Sequence, residues 1–373
     1  MRIVVAPDKF KGSLDAATVA AAIAAGVHDV VPDADCLLVP MADGGEGTVD
    51  AFLAGGASAR RVRAHGPMGE WVEATYAREG STAVLEMAAA SGLVRLQRRK
   101  RDARRASTRG TGELLRDALE GGARTIVLGV GGSATTDGGV GALAALGVRF
   151  LDAAGAELQA IPAAMTALAR IDLTGLDPRL AEVDLAIACD VDNPLLGPHG
   201  AAAIYGPQKG ATPDDVAFLD GVLARLADAM AAASGRDLRD LPGAGAAGGL
   251  GWGLASACGA RLESGVALVA QVRSLAQALV GADYCFTGEG RIDEQTLHGK
   301  VVAGVAALAR TAGVPTIAFG GSVDLHVEAA LRAHGVRCVP ILPGPTTLTG
   351  AMHEAVPNLR AAAARTVALL EGA

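Results

Sequence analysis

Short apolar runs bounded by glycine and proline alternate along the chain with longer segments whose apolar residues recur at helical spacing. RIVVAP (2–7) is a compact apolar run ending in proline, which predicts a buried strand. Apolar positions then repeat at helical spacing from Leu14 to Val31, with Ser13 as the expected cap and Pro32 behind. DCLLVPMA (35–42) predicts a second strand. This β-α-β order implies parallel pairing and a right-handed crossover. In the middle, STAVLEMA (81–88), RTIVLGV (124–130), VRFLD (148–152) and DLAIACD (184–190) predict strands, with helices over 111–120 and 140–147. Thr212-Pro213-Asp214-Asp215 combines a cap, a first-turn proline and first-turn acids, so a helix is expected from there to Ser234, stopped by Gly235. Towards the C-terminus, strands over 283–288, 314–321 and 336–342 alternate with helices over 300–311, 327–335 and 358–372.

No internal repeat at a fixed period accompanies this alternation. Regular β/α units sit at both ends, with irregular glycine-rich material between them. The expected fold class is therefore α/β, with two different α/β domains. One is doubly wound with a mostly parallel sheet and is built from 1–62 and 268–373; the other, 63–267, is inserted in it. The active site is expected in the cleft between them. The 373 residues suffice for two full cores. Aromatics make up only 3% of them, so Ala, Val and Leu must fill those cores.

Charge and cysteine usage narrow the function classes. The formal net charge is −7, and the densest basic tract, RLQRRKRDARR (95–105), reads as a solvated strand-to-loop segment, so no nucleic-acid partner is expected. Five scattered cysteines without a C-x-x-C pair point to small buried residues in a reducing compartment. MRIVVAPDKF lacks the build of a signal peptide, and no long uninterrupted apolar stretch occurs, which points to a cytoplasmic protein without a membrane partner. Only five of the 33 basic residues are lysines: Lys9, Lys11, Lys100, Lys209 and Lys300. In so Arg-biased a chain, lysine is expected chiefly where a compact ammonium is needed.

Six segments carry candidate chemistry, nearly all just after a predicted strand, where open α/β sheets bind ligands. They are APDKFKGS (6–13), PMADGGEGT (40–48), GVGGSATTDGG (129–139), CDVDNPLLGPHG (189–200), GPQKGA (206–211) and FTGEGRIDEQTLHGK (286–300). In 129–139, glycines let backbone amides approach an anion, and hydroxyls add neutral donors. Gly131, Gly132, Ser133, Thr135 and Asp137 therefore outline an oxyanion cradle. Gly129, Gly131 and Ala134 also match a relaxed dinucleotide fingerprint, with Asp152 ending the next strand, so a nicotinamide-dependent hydroxy-acid dehydrogenase is the alternative. Asp137 and the glycines after it interrupt the helix such a site needs. No strict Walker pattern occurs, so ATP would have to bind without one. The acids Asp43 and Glu46, Asp190 and Asp192, and Glu289 and Asp293 suit a Mg²⁺–nucleotide site beside Lys11, Lys209, Arg291 and Lys300. Scattered histidines, His298 among them, provide no zinc motif.

Taken together, APDKFKGSL, PMADGGEGTV, EMAAASGL (86–93), GTGEL (110–114), GVGGSATTDGG, CDVDNPLLGP, YGPQKGAT, PGAGAAGGLG (242–251) and TGEGRIDEQTLHGK closely resemble the motifs of the bacterial glycerate kinase family, in order and over nearly the whole chain. The resemblance implies ATP-dependent, Mg²⁺-requiring phosphorylation of D-glycerate, usually at the 2-hydroxyl, on two dissimilar α/β domains. It leaves 3-phosphorylation and a homodimer open. Lys9, Thr136 and Arg109 depart from the family's usual residues, which bears on fine substrate contacts. On this reading the cradle, with Ser133 and Thr135, holds anionic oxygens. Lys11 and Arg291 grip the carboxylate or the transferring phosphoryl group, and Asp190 accepts the hydroxyl proton. Asp43 and Glu46 hold Mg²⁺, and Lys209 and Lys300 face nucleotide phosphates. Asp192, Asn193, Glu289 and Asp293 complete the binding set.

Overall fold

The computed structural model describes residues 1–297 and 300–372; His298 lies outside the described residues. The chain divides into two compact units. Unit 1 comprises Met1–Asp43, Asp50–Gly56 and the chain from Ser264 onward; unit 2 comprises Gly44–Val49 and Ala57–Glu263. The strands among the described residues are β1 (Arg2–Val5) and β2 (Asp35–Leu38) in unit 1. Unit 2 holds β3 (Ser58–His65), β4 (Trp71–Glu79), β5 (Thr82–Glu86), β6 (Thr125–Gly129), β7 (Arg149–Leu151), β8 (Arg170–Asp172), β9 (Asp184–Ala188) and β10 (Arg261–Glu263). Unit 1 resumes with β11 (Tyr284–Ile292), β12 (Thr316–Val323) and β13 (Val336–Pro340).

Unit 1 is a five-stranded sheet in the order β13-β12-β11-β1-β2, parallel throughout. Alternation along the strands sends side chains to two cores, as pleating requires. Ile317 and Phe319 join Ile3, Val5 and Phe286 against helices Ala16–His28 and Ala355–Glu371. Ala318 faces the other way, with Val302, Ala306, Val327 and Leu331 of helices Val301–Thr311 and Leu325–Ala333. Helices on both faces of a parallel sheet make this the doubly wound unit. The first helix is capped by Asp15, which accepts from the Thr18 amide at 2.7 Å, and not by Ser13. Ser13 instead donates its hydroxyl to the Met352 carbonyl.

Unit 2 carries a six-stranded mixed sheet, β10-β9-β6-β5-β4-β3. β10, β9, β6 and β5 are parallel, and β5-β4-β3 is an antiparallel meander. The hydrophobic pattern misses β3 and β4. SARRVRAH is an edge strand with exposed arginines on both of its faces, so its apolar signal is weak. VRFLD does form a strand, but β7 pairs with β8 in a separate two-stranded ribbon. The basic tract 95–105 is not strand-like: it holds the short turns Leu93–Arg95 and Arg98–Lys100. Helix Pro213–Ser234 begins with a reciprocal box between Thr212 and Asp215 and ends at Gly235 with φ +74°. Among the described residues, no helix is long and apolar enough to cross a membrane.

Gly26 shows how tightly the small-residue packing is drawn. A Cβ there would lie 2.2 Å from the Arg360 carbonyl oxygen and 2.8 Å from the Ala363 Cβ, on the facing helix. Because backbone cannot yield as a flexible side chain does, Gly26→Ala is expected to destabilise unit 1 by about 1–3 kcal/mol, as overpacking does. Chemical denaturation followed by circular dichroism should show the earlier midpoint.

Candidate active site

In unit 2, the C-terminal ends of the parallel strands carry the predicted loops. β6 ends at Gly129 and leads through 130–139 into helix Val140–Ala145. Gly132, Gly138 and Gly139 hold positive φ, which lets the chain fold back within a few residues. A Cβ on Gly129 would stand 2.3 Å from the Gly44 carbonyl, and one on Gly131 would stand 3.2 Å from the Gly45 Cα. The PMADGGEGT and GVGGSATTDGG loops thus touch backbone to backbone, and this contact leaves no room for a side chain at Gly129 and little at Gly131. Glu86, at the end of β5, fastens the first of them by accepting the Val49 amide at 2.9 Å. Glu46, exposed, lies in the segment that rests on Gly131.

The second loop is anchored from inside. Asp137 is fully buried, and its carboxylate accepts the Thr108 amide and hydroxyl at 2.8 Å each, and the Gly139 and Gly141 amides at 3.1 and 3.2 Å. Burial pushes its pKa up, against these four donors. Lys209 is 1% exposed and donates to the Thr135 carbonyl at 2.5 Å. Burial pushes the Lys209 ammonium down to about 7, against the nearby Asp137 charge. Both residues were expected to meet ligand; the structure instead places them under the loop, bonded to protein. Gly131 and Gly132 are exposed at the surface of the loop, while residues 133–137 are buried. The amides of Gly131, Gly132, Ser133, Thr135, Thr136 and Asp137 donate to no protein acceptor among the described residues. The Thr135 and Thr136 hydroxyls are likewise buried without a partner. Unpaired donors in this density are rare in folded chains and mark a place where something else accepts.

The loop after β9 carries Asp190 and Asp192, both exposed. Asn193, also expected at the ligand, serves as a clip. Its Oδ1 accepts from the Tyr205 hydroxyl at 2.6 Å, its Nδ2 donates to the His199 carbonyl, and its own carbonyl accepts the Gly245 amide.

In unit 1, β2 lies on one side of β1, and β11, β12 and β13 follow on the other. Relabelled in chain order within the unit, this is 2-1-3-4-5, whose topological switch point lies between β1 and β11. There the chain after β1 follows β11 closely: Ala6 donates to Phe286 and Asp8 to Gly288. Asp8 is 7% exposed; burial first, then Asp43, pushes its pKa up to about 7. Glu289, also buried, accepts the Thr296 hydroxyl. Its pKa is raised chiefly by burial, with Asp293 and Asp43 adding to it and Lys300 opposing. Lys11 is exposed, and Arg291, 75% exposed at its side chain, stands 3.4 Å from Asp293. The structure therefore brings Asp43, Glu289, Asp293 and Lys300 within electrostatic reach of one another and adds Asp8. Its signal was its place just past the first strand, which becomes informative only once the strand order is known.

Comparison with known proteins finds similarity over nearly the whole chain. Residues 3–371 match the glycerate kinase family. A glycerate kinase of Halalkalibacterium halodurans is 45% identical over 99% of this chain and 97% of its own. A glycerate 2-kinase of Escherichia coli K12 is 44% identical over 96% of this chain and 95% of its own. A crystal structure of a protein assigned as glycerate kinase 2 from Salmonella typhimurium LT2 superposes with a TM-score of 0.91 at 44% identity, covering 100% of this chain and 98% of that one.

The raised carboxyl of Asp8 has a consequence for stability. Its folded pKa lies above the unfolded value, so the folded chain holds the extra proton between about pH 4 and 7 and loses that advantage as pH rises through 7. In metal-free protein, Asp8→Asn is expected to raise stability at pH 8 by roughly 1–2 kcal/mol and to change little at pH 4. Thermal melts at the two pH values check this.

Proposed function

The chain belongs to the glycerate kinase family, and from that premise we propose that it transfers the γ-phosphoryl group of ATP to the 2-hydroxyl of D-glycerate, giving 2-phosphoglycerate and ADP. The observation that carries this reading is the loop whose Gly131, Gly132, Ser133, Thr135, Thr136 and Asp137 amides are unpaired among the described residues, suited to an array of anionic oxygens such as a nucleotide's phosphates. The family match does not favour the dehydrogenase alternative, and the helix after the loop spans only Val140–Ala145. The name of the Escherichia coli relative, glycerate 2-kinase, supports the 2-hydroxyl as the acceptor.

Phosphoryl transfer requires positioning and neutralisation more than covalent help. The loop amides, with the Ser133 hydroxyl, take the phosphate oxygens. Lys11 and Arg291 pair with the glycerate carboxylate, and Lys300 adds positive charge towards phosphate. Asp190, exposed at the end of β9, accepts the proton of the attacking hydroxyl, and Asp192 shapes the same loop. Asp43 and Glu46 would hold Mg²⁺, with Asp8, Glu289 and Asp293 near Asp43. These hard oxygen donors fit that ion. Two of them, Asp8 and Glu289, are buried, and burial chiefly raises their pKa values. Among the described residues no three His, Cys, Asp or Glu side chains are grouped to hold a metal ion by themselves. When bound, Mg²⁺ supplies charge neutralisation on the phosphates.

Incubation with D-glycerate and MgATP, coupled to enolase, tests the reaction and its position together. Direct turnover through enolase is expected; product that enters only after a mutase is added would place the phosphate on the 3-hydroxyl. Asp190→Asn is expected to lower kcat by at least ~10²-fold with the fold intact, the usual scale for a general base, and near-parental kcat would remove that role. Gly132→Ala is expected to raise the KM for MgATP at least ~10-fold, because the added Cβ strains a residue at φ +69° within the cradle.

A further inference from the structure

Lys209 is a buried ammonium that the loop reading leaves without contact to substrate. Its surroundings are unusually complete. It ends the short turn Pro207–Lys209, followed by Gly210 at φ +94°. A Cβ on Gly210 would stand 2.9 Å from the Arg101 Cβ, and the Arg101 guanidinium donates to the Gln208 carbonyl at 2.7 Å, so the turn is pinned from outside. On the inner side, the Lys209 Nζ meets the Thr135 carbonyl at 2.5 Å. The same carbonyl lies so close to Gly248 that a Cβ there would come within 2.1 Å of it. Thr135 O is therefore held between an ammonium and a glycine.

A trans peptide points its carbonyl and its amide to opposite sides. Drawing the Thr135 carbonyl down to Lys209 turns the Thr136 amide the other way, and that amide has no protein acceptor among the described residues. We propose that Lys209 is a positioning residue that fixes the fully buried peptide between Thr135 and Thr136 from beneath, so that the loop keeps its exposed amides at Gly131 and Gly132 aimed at the phosphate oxygens of the nucleotide. The proposal rests on the reading that the loop binds phosphate.

The charge on Lys209 gives the proposal a second signature. The groups facing it are Asp137 from the loop and the Tyr205 ring, 5.9 Å away, from helix Ala201–Tyr205; the 246–249 turn contributes only Ala and Gly, and Arg101 lies on the outer side of the turn. Burial holds the ammonium near pKa 7 with Asp137 as its counter-charge. An anion on the loop adds negative charge and raises that pKa, so nucleotide binding above pH 7 takes up a proton on Lys209, and affinity falls as pH rises.

Titration calorimetry of MgADP into the full-length protein at pH 8, in buffers of different ionisation enthalpy, tests both signatures. The parent is expected to take up a fraction of a proton. Lys209→Met should bind MgADP at least ~10-fold more weakly with that uptake gone, while its KM for D-glycerate stays within about twofold of the parent's. Lys209→Arg, charged at every pH used, should recover part of the affinity without the uptake. MgADP binding by Lys209→Met with parental affinity and parental proton uptake would overturn the proposal. Gly132→Ala separates the two claims. If it weakens MgADP and Lys209→Met does not, Lys209 alone loses its role; if Gly132→Ala also binds as the parent does, phosphate binding by the loop is itself wrong. Should Lys209→Met fail to fold, the parent's buffer dependence decides: no proton uptake at pH 8 contradicts the proposal.

Discussion

A loop can keep its amides unpaired only if something else pins it. In 129–139 that work falls to two buried charges of opposite sign. Asp137 gathers two donors from Thr108 and two glycine amides from the start of the next helix. Lys209 takes the one carbonyl on the other side. Hydrogen bonds to a charged group contribute roughly 1.5–3 kcal/mol each, enough to offset part of the desolvation of both groups and to hold the main chain in a shape it would not keep alone. Removing either charge leaves its partners buried and unsatisfied, which is why the loop depends on both.

The same economy governs the glycines around it. Gly129 and Gly131 admit the backbone of 44–45, and Gly248 admits the Thr135 carbonyl. Each contact is main chain on main chain, with Glu86 and Thr48 closing the outer segment through hydrogen bonds to the Val49 amide and the Gly45 carbonyl. Unit 1 solves a different problem by strand order. Reversal of the winding at β1 opens the ends of β1 and β11 and places Asp8, Glu289 and Asp43 there with Lys300. Burial raises the Asp8 and Glu289 carboxyls first, and the neighbouring negative charge of Asp43 adds to it.

Much of this was legible from residue order, and the parts that were not share a cause. Apolar runs and caps located most strands and helices, because their signals are local; the Thr212–Asp215 box is the clearest case. β3 escaped because an arginine-studded edge strand carries little apolar pattern, and β7 gave no sign that it pairs outside the main sheet. Glycine and hydroxyl density singles out 129–139 from sequence, and the structure finds unpaired amides there among the described residues. Composition cannot tell which side of a loop a side chain takes, so Asp137, Lys209 and Asn193 read as ligand contacts although they bond to protein. Asp8 was passed over in favour of Lys11, since its burial beside Asp43 and Glu289 arises from strand order and not from its neighbours in sequence.

The central claim is that main-chain amides of 131–137 hold the nucleotide's phosphates. A crystal structure of the protein with a non-hydrolysable ATP analogue, Mg²⁺ and D-glycerate tests it most directly. Phosphate oxygens within about 3 Å of several of these amides, with Thr135 O still on Lys209, are the expected result. A triphosphate bound elsewhere, with those amides left to water, would contradict it.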